Sequence, residues 1–328
     1  MNSVCAGTAG VVYTTNFAGG RTYSWTITGG AITSGALTNS ATVTWGPAGP
    51  GTLTVAETIT ATGCSVTTGN YNVTINAKPT PSITVGTPTV CAGVTGVVYS
   101  TANVGGNTYG WTISGGTITA GAGTNSVTVS WGAAGAGTLT VTETITATGC
   151  AATSPVYNVT INPNPTPVIS GLNSVCAGTA GVVYTTSFVA GHTYSWTITG
   201  GVITSGALTN SATVTWGAAG PGTLTVAETI TATGCSVTTG NYNVTINANP
   251  TPSITVGTPT VCAGATGVVY STANVGGNTY VWTISGGTIT AGAGTNSVTV
   301  SWGAAGAGTL TVTEIGRASC RERVYSSV

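Results

Sequence analysis

The fold is decided by the stretch Thr22–Cys64, which reads TYSWTITGGAITSGALTNSATVTWGPAGPGTLTVAETITATGC. Apolar and polar residues alternate along most of it, so that Tyr23, Trp25 and Ile27 fall on one side of an extended chain and polar residues on the other. A period of two is typical of a β-strand with one buried face. The Gly-Gly pair that follows Thr28 predicts a turn between two such strands.

This stretch recurs three more times, starting at Thr108, Thr193 and Thr279, and the last copy diverges after Glu314. Residues 2–143 and 173–314 differ at only nine positions, which indicates duplication of a two-repeat unit. The VCAG motif recurs every 85 or 86 residues. Solenoid units are shorter, at about 20–50 residues, so each copy is predicted to be a small domain.

Each copy contains the pattern of six or seven short strands and no helical periodicity. Many short strands without helices favour a Greek-key β-sandwich. We expect the first copy to lack the leading strand that the others carry, and the last copy to be incomplete. The strands predicted in the first copy are 10–15, 22–28, 40–45, 51–62 and 71–76, and the leading strand of the second copy is 82–86.

Proline-rich segments separate the copies and predict short, stiff linkers. Alternating prolines favour an extended chain and cannot pair inside a sheet. We therefore expect a rod of domains stacked end to end. The predicted boundaries are 1–79, 80–165, 166–250 and 251–314 for the four repeats, and 315–328 for a tail that does not belong to the repeat.

Charged residues are only 3% of the chain, against about 25% in an ordinary soluble domain. Such a chain has nothing to attract nucleic acid or an anionic membrane. No apolar run is long enough to span a bilayer. The first residues show neither the charged segment nor the apolar segment of a signal peptide. We therefore expect the sequence to begin inside a longer gene.

Enzyme chemistry has few groups to draw on. The chain has no Asp, and each full copy offers one carboxylate, whereas acid–base catalysis needs titratable groups held together. His192 stands where the other copies have Arg21, Asn107 or Asn278, and this variation indicates an exposed loop residue. We predict no enzyme, no catalytic residue, no cofactor and no bound metal.

The repeated glutamates Glu57, Glu143 and Glu228 are harder to place. Strict alternation puts Glu57 on the same face as Leu53 and Val55, where an unpaired charge would be costly. Either a bulge turns the side chain outward, or it is hydrogen-bonded near a Tyr or backbone amides. We expect a structural role, because one carboxylate per copy is too few for a hard cation.

The tryptophans and threonines lie on opposite faces of the predicted strands. The tryptophans have the apolar parity, which favours core packing over stacking on sugars. The outward threonine rows are typical of solvent-facing strands, although a flat array of them could also bind ice or a glycan. The predicted core residues are Trp25, Trp45, Trp111, Trp131, Trp196, Trp216, Trp282 and Trp302.

Four motifs together resemble one known family: VCAG-x-x-GVVY, TY-x-WTI-x-GG, TNS-x-TV-x-WG and ET followed by GC. They are similar to the PKD-like, immunoglobulin-like repeats of Bacteroidota-type surface proteins. The resemblance implies an all-β tandem array of four Ig-like/PKD-like sandwiches, type IX secretion, and display at the bacterial cell surface as an adhesin or stalk. Glycans or other cell-surface proteins are the implied partners. WTITGG lacks the Asp of the W-x-F-G-D-G turn, so the resemblance implies no calcium site.

A secreted repeat of this kind implies disulfide bonds, and zinc spacing is absent. The leading pairing is within repeats, Cys5–Cys64, Cys91–Cys150 and Cys176–Cys235. These cysteines would lie at opposite ends of an Ig-like sandwich, on the order of 20 Å apart, whereas bonded Cα atoms lie within about 7 Å. Pairing between neighbouring repeats, Cys5 with Cys150 and Cys91 with Cys235, remains the alternative, and free thiols remain a third.

The last residues depart from the repeat. Residues 314–324 read EIGRASCRERV where the repeat would read ETITATGC. This sequence resembles translated sequencing-adapter sequence, and we interpret 315–328 as a non-native tail. The fourth copy should then lack its last strand, expose a sheet edge and leave Cys320 one residue out of register as a partner for Cys262.

Overall fold

The computed structural model describes residues 2–316 and 320–327. Its regular structure is all strand, and no helix in this part of the chain is long and apolar enough to cross a membrane. The chain divides into two compact units, Met1–Pro163 and Asn164–Val328, and each contains two copies of the repeat.

The first copy folds into two facing sheets. One has the order β1-β8-β6-β3, with β7 also on β6, and the other has the order β2-β5-β4. β1 is parallel to β8 and the other pairings are antiparallel. The strands are β1 (Ser3–Cys5), β2 (Val11–Thr14), β3 (Arg21–Thr28), β4 (Gly30–Ser34), β5 (Ser40–Trp45), β6 (Gly49–Ile59), β7 (Ser65–Thr67) and β8 (Tyr71–Asn76).

The second and third copies repeat this arrangement strand for strand. The second copy has β9 (Thr89–Cys91), β10 (Val97–Ser100), β11 (Asn107–Ser114), β12 (Gly116–Ala120), β13 (Ser126–Trp131), β14 (Gly135–Ile145), β15 (Cys150–Thr153) and β16 (Tyr157–Asn162). The third has β17 (Ser174–Cys176), β18 (Val182–Thr185), β19 (His192–Thr199), β20 (Gly201–Ser205), β21 (Ser211–Trp216), β22 (Gly220–Ile230), β23 (Ser236–Thr238) and β24 (Tyr242–Asn247).

The fourth copy keeps both sheets but changes their edges. The sheets have the orders β25-β26-β29-β28 and β27-β30-β31. The strands are β25 (Ile254–Val256), β26 (Val268–Thr272), β27 (Thr279–Ser285), β28 (Gly287–Ala291), β29 (Ser297–Trp302), β30 (Thr309–Ile315) and β31 (Arg321–Ser327). The predicted fold class, a tandem array of Ig-like sandwiches, is confirmed.

The predicted strands agree with the structure in their centres and differ at their ends. β6 stops at Ile59, three residues early, because Gly63 takes a positive φ of 70° and the Ile59 N–H bonds to Cys64 O at 2.9 Å. The leading strand of the second copy shrinks to a single bridge between Val85 and Ser100. Short strands such as β1, β4 and β7 carry too few alternations to be found from the sequence.

Each copy has its own apolar core, and one tryptophan per copy lies at its centre. Trp45, at 1% exposure, packs edge-on against Tyr13 with ring centroids 6.1 Å apart. Its ring lies flat on the backbone at Gly51, where an added Cβ would come within 2.4 Å of Cζ3. The residues buried in this way in the four copies are Trp45, Trp131, Trp216 and Trp302.

The other tryptophan of each copy is less uniformly placed than predicted. Trp196 and Trp282 are buried. Trp25 and Trp111 are only partly buried and pack against the edge of their cores. In all four copies the indole N–H of this tryptophan donates to a backbone carbonyl at 2.8 Å, as Trp25 does to Thr38 O, so the bond is the same whether the ring is buried or partly buried.

Burial raises the pKa of the Tyr184 hydroxyl from 10.0 to about 12, because the phenolate would be desolvated in the core. The third copy should therefore keep its full stability below about pH 10 and lose stability as the pH rises from there to about 12. In that window the unfolded phenol ionises while the folded one holds its proton. Thermal unfolding between pH 9 and 12 should show a shallower alkaline loss in Tyr184→Phe, and an equal slope would contradict the shift.

The end of the fourth copy differs from the sequence-based expectation. β31 pairs with β30 over its whole length, from Thr309 opposite Ser327 to Ile315 opposite Arg321. The predicted exposed edge of β30 is therefore covered by backbone that the tail supplies, and Thr313 is buried. Of the segment interpreted as non-native, residues 317–319 and 328 lie outside the described residues, and its origin stays a prediction.

The tail interpretation leads to a swap experiment. Replacing residues 315–328 with the second copy's continuation, Thr144–Asn162, should restore the missing hairpin and raise hydrogen-exchange protection throughout the fourth copy. The same measurement on the unchanged chain is the control. Equal protection in both chains would mean that β31 completes the fold as well as the native sequence does.

Candidate functional site: the repeat junctions

The glutamates lie at one end of each sandwich. In all four copies the residue opposite the glutamate on the neighbouring strand is a tyrosine. Glu143 on β14 is the register partner of Tyr109 on β11. The Tyr109 hydroxyl accepts a bond from Val104 N–H at 2.8 Å and donates to Ala102 O at 3.1 Å, which fixes the loop before β11. The carboxylate thus sits at a rigid corner of the domain.

Each carboxylate accepts a hydrogen bond from the residue 36 positions earlier. That residue is the first of β3, β11 or β19, or precedes β27. Glu143 and Glu228 are 4% exposed, so the bond satisfies a group that would otherwise be costly to bury. The pairs are Arg21 Nη1 with Glu57 at 2.7 Å, Asn107 Nδ2 with Glu143, His192 Nδ1 with Glu228 and Asn278 Nδ2 with Glu314, the last three at 2.6 Å.

The prediction that His192 is an exposed loop residue is wrong. It begins β19 and its side chain is 15% exposed. Variation among Arg, Asn and His looked like the variation of a loop, but all three can donate a hydrogen bond. That shared property, together with the fixed spacing to the glutamate, is the signal in the sequence that could have revealed the pair.

The pair leads to a matched set of substitutions. His192→Asn should be tolerated, because Asn107 and Asn278 fill the same role in other copies. His192→Leu should destabilise the third copy by about 1–3 kcal/mol or more, since it leaves a buried carboxylate unsatisfied. Urea unfolding of the three chains measures this, and equal midpoints for the Leu and Asn variants would refute the role.

The carboxylate pairs border clefts at the junctions within each unit. In the first unit a cleft of about 360 Å³ is lined by the linker from Lys78 to Ser82, by Asn107 and by Glu143. In the second unit a cleft of about 510 Å³ is lined by the linker from Asn247 to Ser253, by Asn278 and by Glu314. The glutamate corner therefore faces the linker that arrives from the preceding repeat.

Disulfide bonds cross the same two junctions. Cys5 bonds Cys150 with Cα atoms 5.5 Å apart, and Cys176 bonds Cys320 at 5.3 Å. Each bond joins the VCAG cysteine of one repeat to the cysteine that follows the long strand, β14 or β30, of the next repeat. Cys91 and Cys235 are in disulfide bonds too, and the pairing proposed between them stays a prediction.

The pairing within repeats is wrong for the first copy, because Cys64 is free and exposed. Cys5 lies beside Asn76, near the start of β6, whereas Cys64 follows the end of β6. The eleven residues of that strand put about 30–35 Å between those ends. The bond of Cys5 to Cys150 also rules out Cys91–Cys150, and the bond of Cys176 to Cys320 rules out Cys176–Cys235. Cys320 does not pair with Cys262, which is free.

The threonine rows form a solvent-facing surface on the sheet that contains β3 and β6. Thr22, Thr26 and Thr28 are exposed. Many hydroxyls on this surface bond to each other across strands, as Thr28 does with Thr52 at 2.7 Å. The pairs at equivalent positions are Ser114 with Thr138, Thr199 with Thr223 and Ser285 with Thr309, all at 2.7 Å.

Within residues 2–316 and 320–327 there is no group of three or more His, Cys or Glu side chains that could hold a metal ion.

The two sheets, their strand order and the fourfold repetition define a tandem array of immunoglobulin-like modules. The sequence profile of the PKD-like domain matches residues 1–74, 77–160, 162–245 and 248–328, and the chain belongs to this family. A search of curated proteins finds no match.

Among solved structures, the similar chains include two ectodomains and a bacterial integrin-binding protein. The human desmocollin-1 ectodomain is 11% identical, with 99% of this chain and 77% of that chain covered and a TM-score of 0.26. The ICAM-5 D1–D4 ectodomain fragment is 12% identical, with 98% of this chain and 91% of that chain covered and a TM-score of 0.35. Invasin, a bacterial integrin-binding protein, is 13% identical, with 99% of this chain and 77% of that chain covered and a TM-score of 0.30. Similarity at this level says nothing about function.

Proposed function

We propose that this chain is a non-enzymatic structural or adhesive segment of a bacterial surface or secreted protein. The observation that carries the proposal is the disulfide across the junction within each unit, from Cys5 to Cys150 and from Cys176 to Cys320. A bond at that place holds neighbouring modules together against separation. Disulfides persist in oxidising compartments, which supports an extracellular location.

Mechanical stretching tests this role. In the oxidised chain, the Cys5–Cys150 bond should shield the residues between the two cysteines from an applied force. Reduction should then release about 500 Å of additional chain length for that bond, at about 3.3–3.6 Å per residue over a separation of 145. Cys64→Ser is the matched control, and unchanged extension on reduction would argue against the proposal.

The alternative is a module that binds polysaccharide or ice through the threonine rows. Its support is the regular exposed surface that includes Thr22, Thr26 and Thr28. Hydroxyls that bond to each other, such as Thr28 and Thr52, have less capacity for a ligand. A glycan array and a thermal-hysteresis measurement separate the two functions, and glycans or other surface proteins remain the proposed partners of an adhesive segment.

A further inference from the structure

Two large apolar side chains project from loops at the surface of the first copy. Phe17, in the loop after β2, and Leu37, in the loop after β4, are 75% and 74% exposed. In the third copy the same positions are Phe188 and Leu208, at 70% and 75% exposure. Single exposed apolar residues are ordinary, whereas apolar side chains grouped at one place mark a contact surface.

The loop that carries Phe17 is held from both sides by one residue of β3. The Tyr23 hydroxyl accepts a hydrogen bond from Ala18 N–H at 2.8 Å and donates one to Asn16 O at 3.1 Å. Phe17 lies between these two bonded residues. Its exposed side chain therefore projects from a fixed backbone.

Leu37 is held in the same way by the next inward residue of β3. Trp25 donates from its backbone N–H to Ala36 O at 3.0 Å and from its indole N–H to Thr38 O at 2.8 Å. Leu37 lies between these two residues. Tyr23 and Trp25 are about 7 Å apart along an extended strand, so the two loops are held at neighbouring places. The third copy has the same four bonds around its own pair.

The two loops are also bonded directly to each other. Thr15 N–H donates to Asn39 O at 2.9 Å, and the side-chain amide of Asn39 donates to Thr15 O at 3.3 Å. Thr15 is two residues before Phe17, and Asn39 is two residues after Leu37. The two apolar side chains therefore lie at the same end of the sandwich. We call this pair, and the equivalent pair of the third copy, the Phe/Leu tips.

The second and fourth copies show that the loops do not need these side chains in order to fold. Their tyrosines and tryptophans make the corresponding side-chain bonds. An added Cβ at Gly123 would meet no atom within 4 Å, so the space at that tip is open. The residues at the tip positions are Asn103 and Gly123 in the second copy and Asn274 and Gly294 in the fourth.

We propose that the Phe/Leu tips of one chain bind the tips of a second copy of this chain, with each Phe packed on the Leu of the other. This inference names a partner for the adhesive role proposed above and rests on that role. A two-fold contact of this kind is self-complementary. The chain has a formal net charge of 0 and 3% charged residues, so electrostatic repulsion does not keep two copies apart. Since the loops are already fixed, little order is lost on contact.

One such contact is small. A buried Phe contributes about 150–250 Å², so two Phe and two Leu side chains together fall below the roughly 1,200 Å² of a stable interface. Each chain carries the tips twice, and two linked contacts are stronger than one. We therefore expect weak, reversible self-association that depends on both pairs of tips.

Sedimentation velocity of the full oxidised chain, with its free thiols blocked and over a rising concentration series, tests this inference. The unchanged chain should associate reversibly. Phe17→Asn with Leu37→Gly should need at least about tenfold more protein to associate, because the gain from linked contacts is lost, and should form nothing larger than a dimer. Adding Phe188→Asn and Leu208→Gly should leave a monomer at every concentration.

The chain supplies matched controls for these variants. The substitutions copy the residues of the second copy, so the loops should stay folded. Val202→Thr replaces a valine of β20 that is 65% exposed and lies outside the tips with the residue that the second copy has there, Thr117. It should associate as the unchanged chain does. Asn103→Phe with Gly123→Leu adds a third pair of tips and should strengthen association.

Four outcomes would overturn the inference. They are an unchanged chain that stays monomeric, association that survives loss of all four tip residues, an equal loss of association in Val202→Thr, and tip-dependent binding to phosphatidylcholine vesicles by a chain that is otherwise monomeric. The last result would assign the tips to a lipid surface. None of them touches the stretching test, which reads the internal disulfides, so failure of self-association is distinguishable from failure of the structural role.

Discussion

Trp216→Ala should unfold the third copy and leave the others largely intact. The side chain is 1% exposed, lies 5.9 Å from the ring of Tyr184 in an edge-on contact, and belongs to a core cluster confined to its own copy. Removing a buried aromatic of this size costs about 3–5 kcal/mol, which is comparable to the whole stability of a small domain. Hydrogen exchange resolved by peptide would report the loss copy by copy.

Two matched variants make this prediction sharp. Gly222→Ala should destabilise the same copy by about 1–3 kcal/mol through overpacking, because its Cβ would lie 2.4 Å from Cζ3 of Trp216. Trp25→Ala should cost less than Trp216→Ala, since Trp25 is only partly buried at the edge of its core. A tolerated Trp216→Ala that lost sugar binding instead would show that the ring serves a ligand and not the core.

Alternation alone predicts much of this fold. It identifies which face of each long strand is buried, and the inward positions of Leu53, Val55 and Trp45 follow from it directly. It also placed Glu57 on the inner face and left two alternatives for it, a bulge or a hydrogen bond near a Tyr or backbone amides. In the structure the donors are other side chains, as Asn107 is for Glu143. Parity is a local property of the chain, so local sequence is enough to find it.

Pairings across the fold could not be found in the same way. Parity does not say which end of a sandwich a residue occupies, so the sequence left open whether Cys5 bonds Cys64 or Cys150. Strand order decides this, because β1 runs parallel to β8 and places Cys5 at the end of the domain that is away from Cys64. His192, the partner of Glu228, was missed for a related reason. The two residues are 36 positions apart on different strands, and His192 was interpreted from the variability of its own position alone.

Removing the Cys5–Cys150 bond is the other change with a large expected effect. The double variant Cys5→Ser/Cys150→Ser opens a loop with a sequence separation of 145 residues. On the chain-entropy model, closing a loop of this length stabilises the folded state by about 5 kcal/mol, and measured losses for native disulfides are about 2–5 kcal/mol. We expect the first unit, Met1–Pro163, to unfold at a clearly lower urea concentration than in the unchanged oxidised chain.

The control for this experiment lies in the same unit. Cys64→Ser removes an exposed thiol that forms no bond, and its urea midpoint should equal that of the unchanged chain. Reducing agent should lower the midpoint of the first unit more in Cys64→Ser than in the double variant, because the double variant already lacks the Cys5–Cys150 bond and keeps only the bond of Cys91 in that unit. If the double variant unfolds at the midpoint of the oxidised parent, the bond does not constrain the unfolded chain, and the two repeats owe their stability to their separate cores.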